Sequence, residues 1–298
     1  MSANSTTLNG LSTESWIVGY YSLFLTIIGT ILNLFIFIVL YRAPFRNGNN
    51  RGTLYYMRTI AIFDILILYG WNLDHYLAQI YGLTLLRYSV PSCKVVTFIS
   101  YFTGQVSAYL RVFICIDRYF SLSRIRRVWI HRPKNTLIII VCIIILVLLL
   151  NLHILIFVCY RRINGSVAIG AQYYRFYPLW DYVNLGVYNC VPFILMVTFN
   201  SGIIRHLIRA RQTRIIRNSR LNHRSITITL VITTSLFLIM TIPATVAFAF
   251  FIGYDKTILR LLDGIFYTYH ISSFPLYMFT FHEFRQECVN ILRCRKPQ

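Results

Sequence analysis

Residues 135–158 read NTLIIIVCIIILVLLLNLHILIFV, a run without one Asp, Glu, Lys or Arg. A helix that crosses the hydrocarbon core of a bilayer needs about 20 predominantly apolar residues, so this stretch reads as a membrane crossing. Three more segments carry no charge: Trp16–Tyr41, Tyr182–Ile204 and Ser225–Tyr254. Each has spanning length. Three weaker segments, about 55–80, 93–121 and 258–281, are interrupted by Asp64 and Asp74, by Arg111, and by Asp263. Ionisable groups are costly in lipid, so these three helices are expected to turn their charges into the bundle interior.

The whole chain agrees with that reading. Its 298 residues are 57% hydrophobic and only 13% charged, about half the charge of a soluble domain. Seven crossings take up so much of it that the remaining residues are too scattered for a second domain. The expected fold is therefore an all-α membrane protein, a seven-transmembrane-helix bundle in one domain over 1–298. Its helices fall at about 16–41, 55–80, 93–121, 135–158, 180–208, 223–254 and 258–281, with a short amphipathic C-terminal helix at about 283–294. Trp16–Tyr41 starts too late and runs too long for a cleaved signal peptide, and reads as a retained anchor.

With 29 Lys+Arg against 9 Asp+Glu, a soluble chain would suggest a nucleic-acid partner; here the charge tests orientation instead. If the N-terminus is outside, the outer segments hold Arg87, Lys94, Arg161, Arg162, Arg175, Lys256 and Arg260, Arg111 lies in the membrane, and every other Lys and Arg is inside. That is a strong positive-inside bias. Two glycosylation sequons, at Asn4 and Asn164, fall on the same expected outer side. The chain is thus expected in the plasma membrane, multi-pass, with the N-terminus extracellular and the C-terminus cytoplasmic.

The third helix ends in Asp117-Arg118-Tyr119, and Cys93 stands 25 residues before that Arg. This resembles the rhodopsin-like, class A G-protein-coupled receptors. Asn33, Asp64, Pro192, Pro243 and Tyr277 followed by Phe284-Arg285 fit the same pattern, over about residues 16 to 294. There are departures. Thr241 stands where the family has a Trp two residues before the sixth-helix Pro, the seventh helix reads Ser273-Phe274-Pro275-Leu276-Tyr277, and Asn200 replaces the usual Tyr. The chain is identified as a divergent member.

The resemblance implies roles for particular residues. Asp117, Arg118 and Tyr119, with Asn200 and Tyr277, would serve activation and coupling to a heterotrimeric G protein, Arg118 being held by Asp117 at rest. It also implies a bridge from Cys93. Cys115, Cys142 and Cys190 lie in spanning segments and Cys288 and Cys294 on the inner side, which leaves Cys159 as an outer partner, earlier than the family's loop Cys. The bridged and unbridged states both stay open. Cys288 and Cys294 follow the seventh helix in an amphipathic stretch suited to palmitoylation and contact with membrane lipid.

Apart from any resemblance, Asp64 needs a partner in the membrane, and the candidates are Asn33, Ser107, a sodium ion with waters, or Arg111. Arg111 itself costs about 2.5–3.5 kcal/mol to insert, so direct pairing with Asp64 would offset that cost.

Ligand class rests on fewer residues. Relatives that bind amines carry an Asp 18 residues before the Arg of the triplet, where this chain has Ser100, and opsins carry a seventh-helix Lys, absent from 261–281. The expected mouth is aromatic and acidic: Asp74, Ser100, Tyr101, Asp263, Tyr267 and His270, with Trp71, His75, Tyr76, Tyr173, Tyr174, Trp180 and Asp181 around them. Such a lining suits a short amidated peptide of the FMRFamide type, held by carboxylate pairing and cation–π contact; an interfacial aromatic belt is the plainer reading for some of these rings. No metal cluster, nucleophile motif or phosphate loop appears, so neither an enzyme nor a cofactor is expected. The alternative function is a seven-helix transporter using Asp64 and Arg111 as a charge relay, for which no paired repeats are evident.

Overall fold

The computed structural model describes residues 13–42, 51–122, 133–171, 176, 179–212, 220–251 and 256–293. Asn4, Tyr173, Tyr174 and Cys294 lie outside them. Among the described residues six helices are long and apolar enough to cross a membrane: Thr13–Tyr41, Gly52–Tyr81, Val90–Ser121, Lys134–Phe157, Leu179–His206 and Val231–Phe250. The seventh crossing is built from two pieces, Lys256–Tyr269 and Ser273–Thr280. The fold is an all-α, seven-helix membrane bundle.

The fourth helix shows how a uniformly apolar sequence acquires a face. Thr136, Ile140, Ile143, Val147, Asn151 and Ile154 are buried, at spacings of three and four, whereas Leu137, Val141, Ile145 and Leu149 are exposed. The polar Asn151 sits on the buried stripe and donates to Gln105 Oε1 at 2.7 Å. In hydrocarbon an amide must find such a partner, and that need orients the helix.

Three crossings are irregular where a single helix was expected. In the second, a 3₁₀ turn at Ile67–Tyr69 separates Arg51–Leu66 from Trp71–Tyr81. Gly70 stands at the joint because Ser100 Oγ occupies the space a Cβ would need, and that hydroxyl accepts the Trp71 N–H at 3.0 Å. In the fifth, a π turn covers Leu185–Cys190; Pro192, two residues on, has no N–H to give the Tyr188 carbonyl. In the seventh, the break at 270–272 is closed by bonds reaching only three residues back, from His270 to Tyr267 and Ser272 to Tyr269, each 3.1 Å. Pro275 explains it, because its ring would clash with the carbonyl four residues earlier in a continuous helix.

After the fourth helix the chain forms a two-stranded hairpin, which the sequence reading did not anticipate. Strand β1, Val158–Arg161, pairs antiparallel with β2, Val167–Ala171, through a bulge between Val158 and Tyr160. Cys159 in that bulge has a left-handed φ of 66° and is bonded to Cys93, with the Cα atoms 6.1 Å apart. The hairpin is thereby fastened to the start of the third helix. Its tip carries Asn164, exposed, whose Oδ1 accepts from Ser166 Oγ at 2.7 Å.

At the opposite end of the bundle the C-terminal helix, His282–Leu292, packs beneath the first and seventh crossings. Phe284 and Cys288 enter a cluster with Val39, Leu40, Tyr277 and Phe281, and Glu287 pairs with Arg42 at 2.6 Å. This corrects the expectation for Cys288. It points into the protein at 2% exposure, so it is not presented to lipid for acylation, and burial beside Glu287 pushes its thiol up to about 11. Thiolate is the reactive form. Alkylation of Cys288 in the folded protein at pH 7.5 should therefore run about a hundredfold slower than for an ordinary exposed thiol, rising about tenfold per pH unit below 11. Mass-spectrometric labelling rates at stepped pH, with a detergent-unfolded control, check this; fast labelling at pH 7.5 would contradict it.

Candidate functional site

Three polar constellations lie along the third helix, Val90–Leu122. The deepest is formed by Asp64, Ser107, Arg111 and His270. Arg111 Nη2 lies 2.6 Å from Asp64 Oδ2, Ser107 Oγ donates to Asp64 Oδ1 at 2.7 Å, and His270 Nδ1 meets the same oxygen at 2.8 Å. Arg111 also donates to Ser107 Oγ, and its guanidinium lies 4.9 Å from the Tyr269 ring centroid. For Nδ1 to donate to a carboxylate it must carry the proton, which leaves Nε2 as acceptor for the Tyr188 hydroxyl at 3.4 Å. With His270 neutral in that form the cluster carries no net charge, as a dry interior requires.

Asn33 enters this cluster indirectly. Its Nδ2 donates to the carbonyls of Gly29 at 3.0 Å and His270 at 3.1 Å, so it holds the break in the seventh crossing that presents the imidazole. Of the candidate partners for Asp64, Ser107 and Arg111 touch the carboxylate and Asn33 supports one that does. His270 is the partner the sequence reading missed. It was expected at the ligand mouth, yet it is fully buried.

Two turns along the third helix toward its C-terminal end is the Asp-Arg-Tyr triplet. Thr53 Oγ1 donates to Asp117 Oδ2 at 2.7 Å, and Asp117 and Arg118 are both buried. Tyr119 packs edge-on against Phe199 and His206, with centroids 5.6 and 5.7 Å apart. That approach needs Gly202, whose Cβ position the Tyr119 ring fills. Asn200 donates to Thr234 Oγ1 at 2.8 Å, joining the fifth and sixth crossings at the same level.

At the disulfide end is a cavity of about 340 Å³, bordered by the second, third, fifth, sixth and seventh crossings and by Ile169 of β2. Ser100, Tyr101, Asp263 and Tyr267 line it, together with Trp71, His75 and Asp181. Trp180 does not; it packs behind Tyr101 and Phe176.

Asp74 is likewise placed elsewhere. Its carboxylate accepts the backbone N–H groups of Leu85 and Leu86 and so fastens the short helix Leu85–Tyr88. Asp263 lies 3.0 Å from His75 Nδ1.

Residues 32–274 match the family model described as the seven-transmembrane receptors of the rhodopsin family. The chain belongs to that family. No curated protein matches it. It is thus a G-protein-coupled receptor in general character, a multi-pass protein of the plasma membrane whose kind takes a ligand and a G protein as partners and consists of receptors rather than enzymes. Among the described residues no three His, Cys, Asp or Glu converge as a metal site.

Two further networks in the receptor escaped the sequence reading. Gln105 donates to Asn184 Oδ1 at 2.9 Å while accepting from Asn151, tying the third, fourth and fifth crossings. Thr241 donates to Asn189 Oδ1 at 2.8 Å, and Asn189 donates to Thr245 at 2.6 Å. Thr241 occupies the position of the family's Trp, so a hydrogen bond to the π turn stands where a ring would pack. The available signal was the presence of amides within otherwise apolar spans.

The Asp64 cluster gives the site's sharpest mutational expectation. Breaking one side of a buried pair costs about 3–5 kcal/mol, because the surviving charge stays dry and unpaired. Arg111→Leu should lose most surface expression, and adding Asp64→Asn should restore much of it. Quantitative surface labelling of the single and double variants checks this; equal expression of wild type and Arg111→Leu would contradict it.

Proposed function

We propose that the chain is a receptor for a short extracellular peptide, and that it activates a heterotrimeric G protein through the end of the third helix that carries Asp117, Arg118 and Tyr119. The N-terminus is extracellular and the C-terminus cytoplasmic in this reading. The observation that carries it is the division of labour along one helix. Ser100 and Tyr101 border an aromatic and acidic cavity near the disulfide, and the triplet lies at the helix's other end.

The peptide reading is supported by what the cavity offers. Two carboxylates and several aromatic rings border it, and no Lys or Arg is among the described lining residues. A ligand with a cationic group and an aromatic would meet complementary charge and cation–π contact there. The cavity is at the small end of the range for ligand pockets, roughly 300–1,000 Å³, which suits the end of a peptide. Expression in cells that carry a promiscuous G protein, challenged with amidated RF-type peptides, tests the reading. A second-messenger response to members with Arg and an aromatic is expected; silence across the set would overturn the peptide assignment.

Resting activity follows from the charge pattern. No Asp or Glu occurs from Tyr182 to Tyr254, so the sixth helix has no acid to hold Arg118, and His223 stands 20 residues before Pro243. Arg118 is buried, so a charge-assisted contact to it is worth about 1.5–3 kcal/mol, roughly tenfold or more in an equilibrium. Ligand-independent signalling should be measurable, and His223→Glu should lower it roughly tenfold. Second-messenger output at matched surface expression decides: a basal level equal to that of untransfected cells, and unchanged in the Glu variant, would count against it.

A further inference from the structure

Asp74 and Asp263 were the acids expected in the ligand pocket, with Asp181 among the residues around it, and the structure separates the three. Asp74 is satisfied by two backbone N–H groups and does not line the cavity. Asp263 lines it too, and although its Oδ2 is likewise buried without a hydrogen bond among the described residues, a basic group, His75 Nδ1, stands 3.0 Å from that oxygen. Asp181 lines the cavity with different company. Its Oδ1 accepts one neutral donor, the Tyr101 hydroxyl at 2.8 Å, and its Oδ2 is buried with no hydrogen-bond partner among the described residues. The residue is only 7% exposed.

A buried carboxylate oxygen without a donor is costly. In a chain of net charge +20 with nine acids, the cation that would satisfy it could have come from the protein, yet no Lys or Arg lines the cavity among the described residues. Trp71, Tyr101 and Phe266 also line the cavity, rings whose faces favour a cation. We infer that Asp181 is the counter-ion of the receptor's ligand: it takes a guanidinium or ammonium group of the ligand onto Oδ2, while Tyr101 holds Oδ1 and so sets the carboxylate's orientation. Asp263 and His75 form a mutual pair that borders the ligand without carrying its charge. This deepens the peptide reading and rests on it for the ligand's class.

The test uses the full receptor in cells and two probes, so that a failure of the peptide reading and a failure of the Asp181 assignment are told apart. The first probe is a set of paired amidated peptides, each made with Arg and with citrulline, which keeps the shape and removes the charge. Where an Arg peptide activates, Asp181→Asn should reduce its potency at least tenfold, leave its citrulline twin unaffected, and exceed the effect of Asp263→Asn. Equal potency on wild type and Asp181→Asn, or a loss confined to Asp263→Asn, would overturn the assignment.

The second probe needs no agonist. Ser100→Cys places a thiol in the cavity, and its labelling rates with a cationic and an anionic methanethiosulfonate are compared after subtraction of the rates at native cysteines. The cation-to-anion ratio should fall severalfold when Asp181→Asn is added. If no peptide activates, the peptide reading fails, and this ratio still decides: a fall keeps Asp181 as the site for a cationic ligand of another kind, and an unchanged ratio removes it.

Discussion

One guanidinium inside the bundle organises the rest. Arg111 could not be buried at 4% exposure without an anion within reach, and Asp64 could not be fully buried without a cation. Their pairing requires the second and third crossings to meet in one register. The remaining oxygen of the carboxylate draws in Ser107 and His270, and the His270 carbonyl draws in Asn33. Four crossings are thus fixed by groups that would each be costly alone. A buried pair of this kind need not raise stability above that of an apolar core; what it confers is a single permitted arrangement.

The two ends of the bundle can then differ in character. At the disulfide end the cavity is kept by irregular backbone: Gly70 admits Ser100, the π turn buries both Tyr188 and Asn189, and the hairpin is drawn toward the third helix by Cys93–Cys159. At the other end, described side chains pack closely against one another. Tyr119 lies on Gly202 of the fifth crossing, and Phe284 closes the space under Tyr277, 5.6 Å between centroids. Between them the sixth crossing is held to the fifth by Thr241–Asn189 and Asn200–Thr234.

Most of the architecture was legible because membrane crossings obey a coarse rule of length and apolarity. Arg111 was legible as a partner for Asp64 because few anions were within reach. The rotational facts were not. His270 and Asp74 were both assigned to the mouth, since spacing along a helix says which residues share a face only while the helix is regular. The break at 270–272 turns His270 inward, and the 3₁₀ turn at Ile67–Tyr69 changes the phase of everything after it, Asp74 included. Cys288 was misread for a different reason. An amphipathic stretch has two apolar destinations, lipid and protein, and only the docked cluster with Phe284 shows which was taken.

The central claim is that Asp64 is satisfied from within the protein. The most direct measurement is the thermal midpoint of the purified receptor in sodium chloride against N-methylglucamine chloride at equal ionic strength. A cation site filled a hundredfold above its Kd would add about 2.7 kcal/mol to the folded state, enough to move the midpoint of a protein this size by several degrees. Because Arg111 Nη2, Ser107 Oγ and His270 Nδ1 already occupy the carboxylate, the two midpoints should coincide within about a degree. A sodium-specific rise of several degrees, lost in Asp64→Asn, would show that the carboxylate serves an external ion and would contradict the internal pairing.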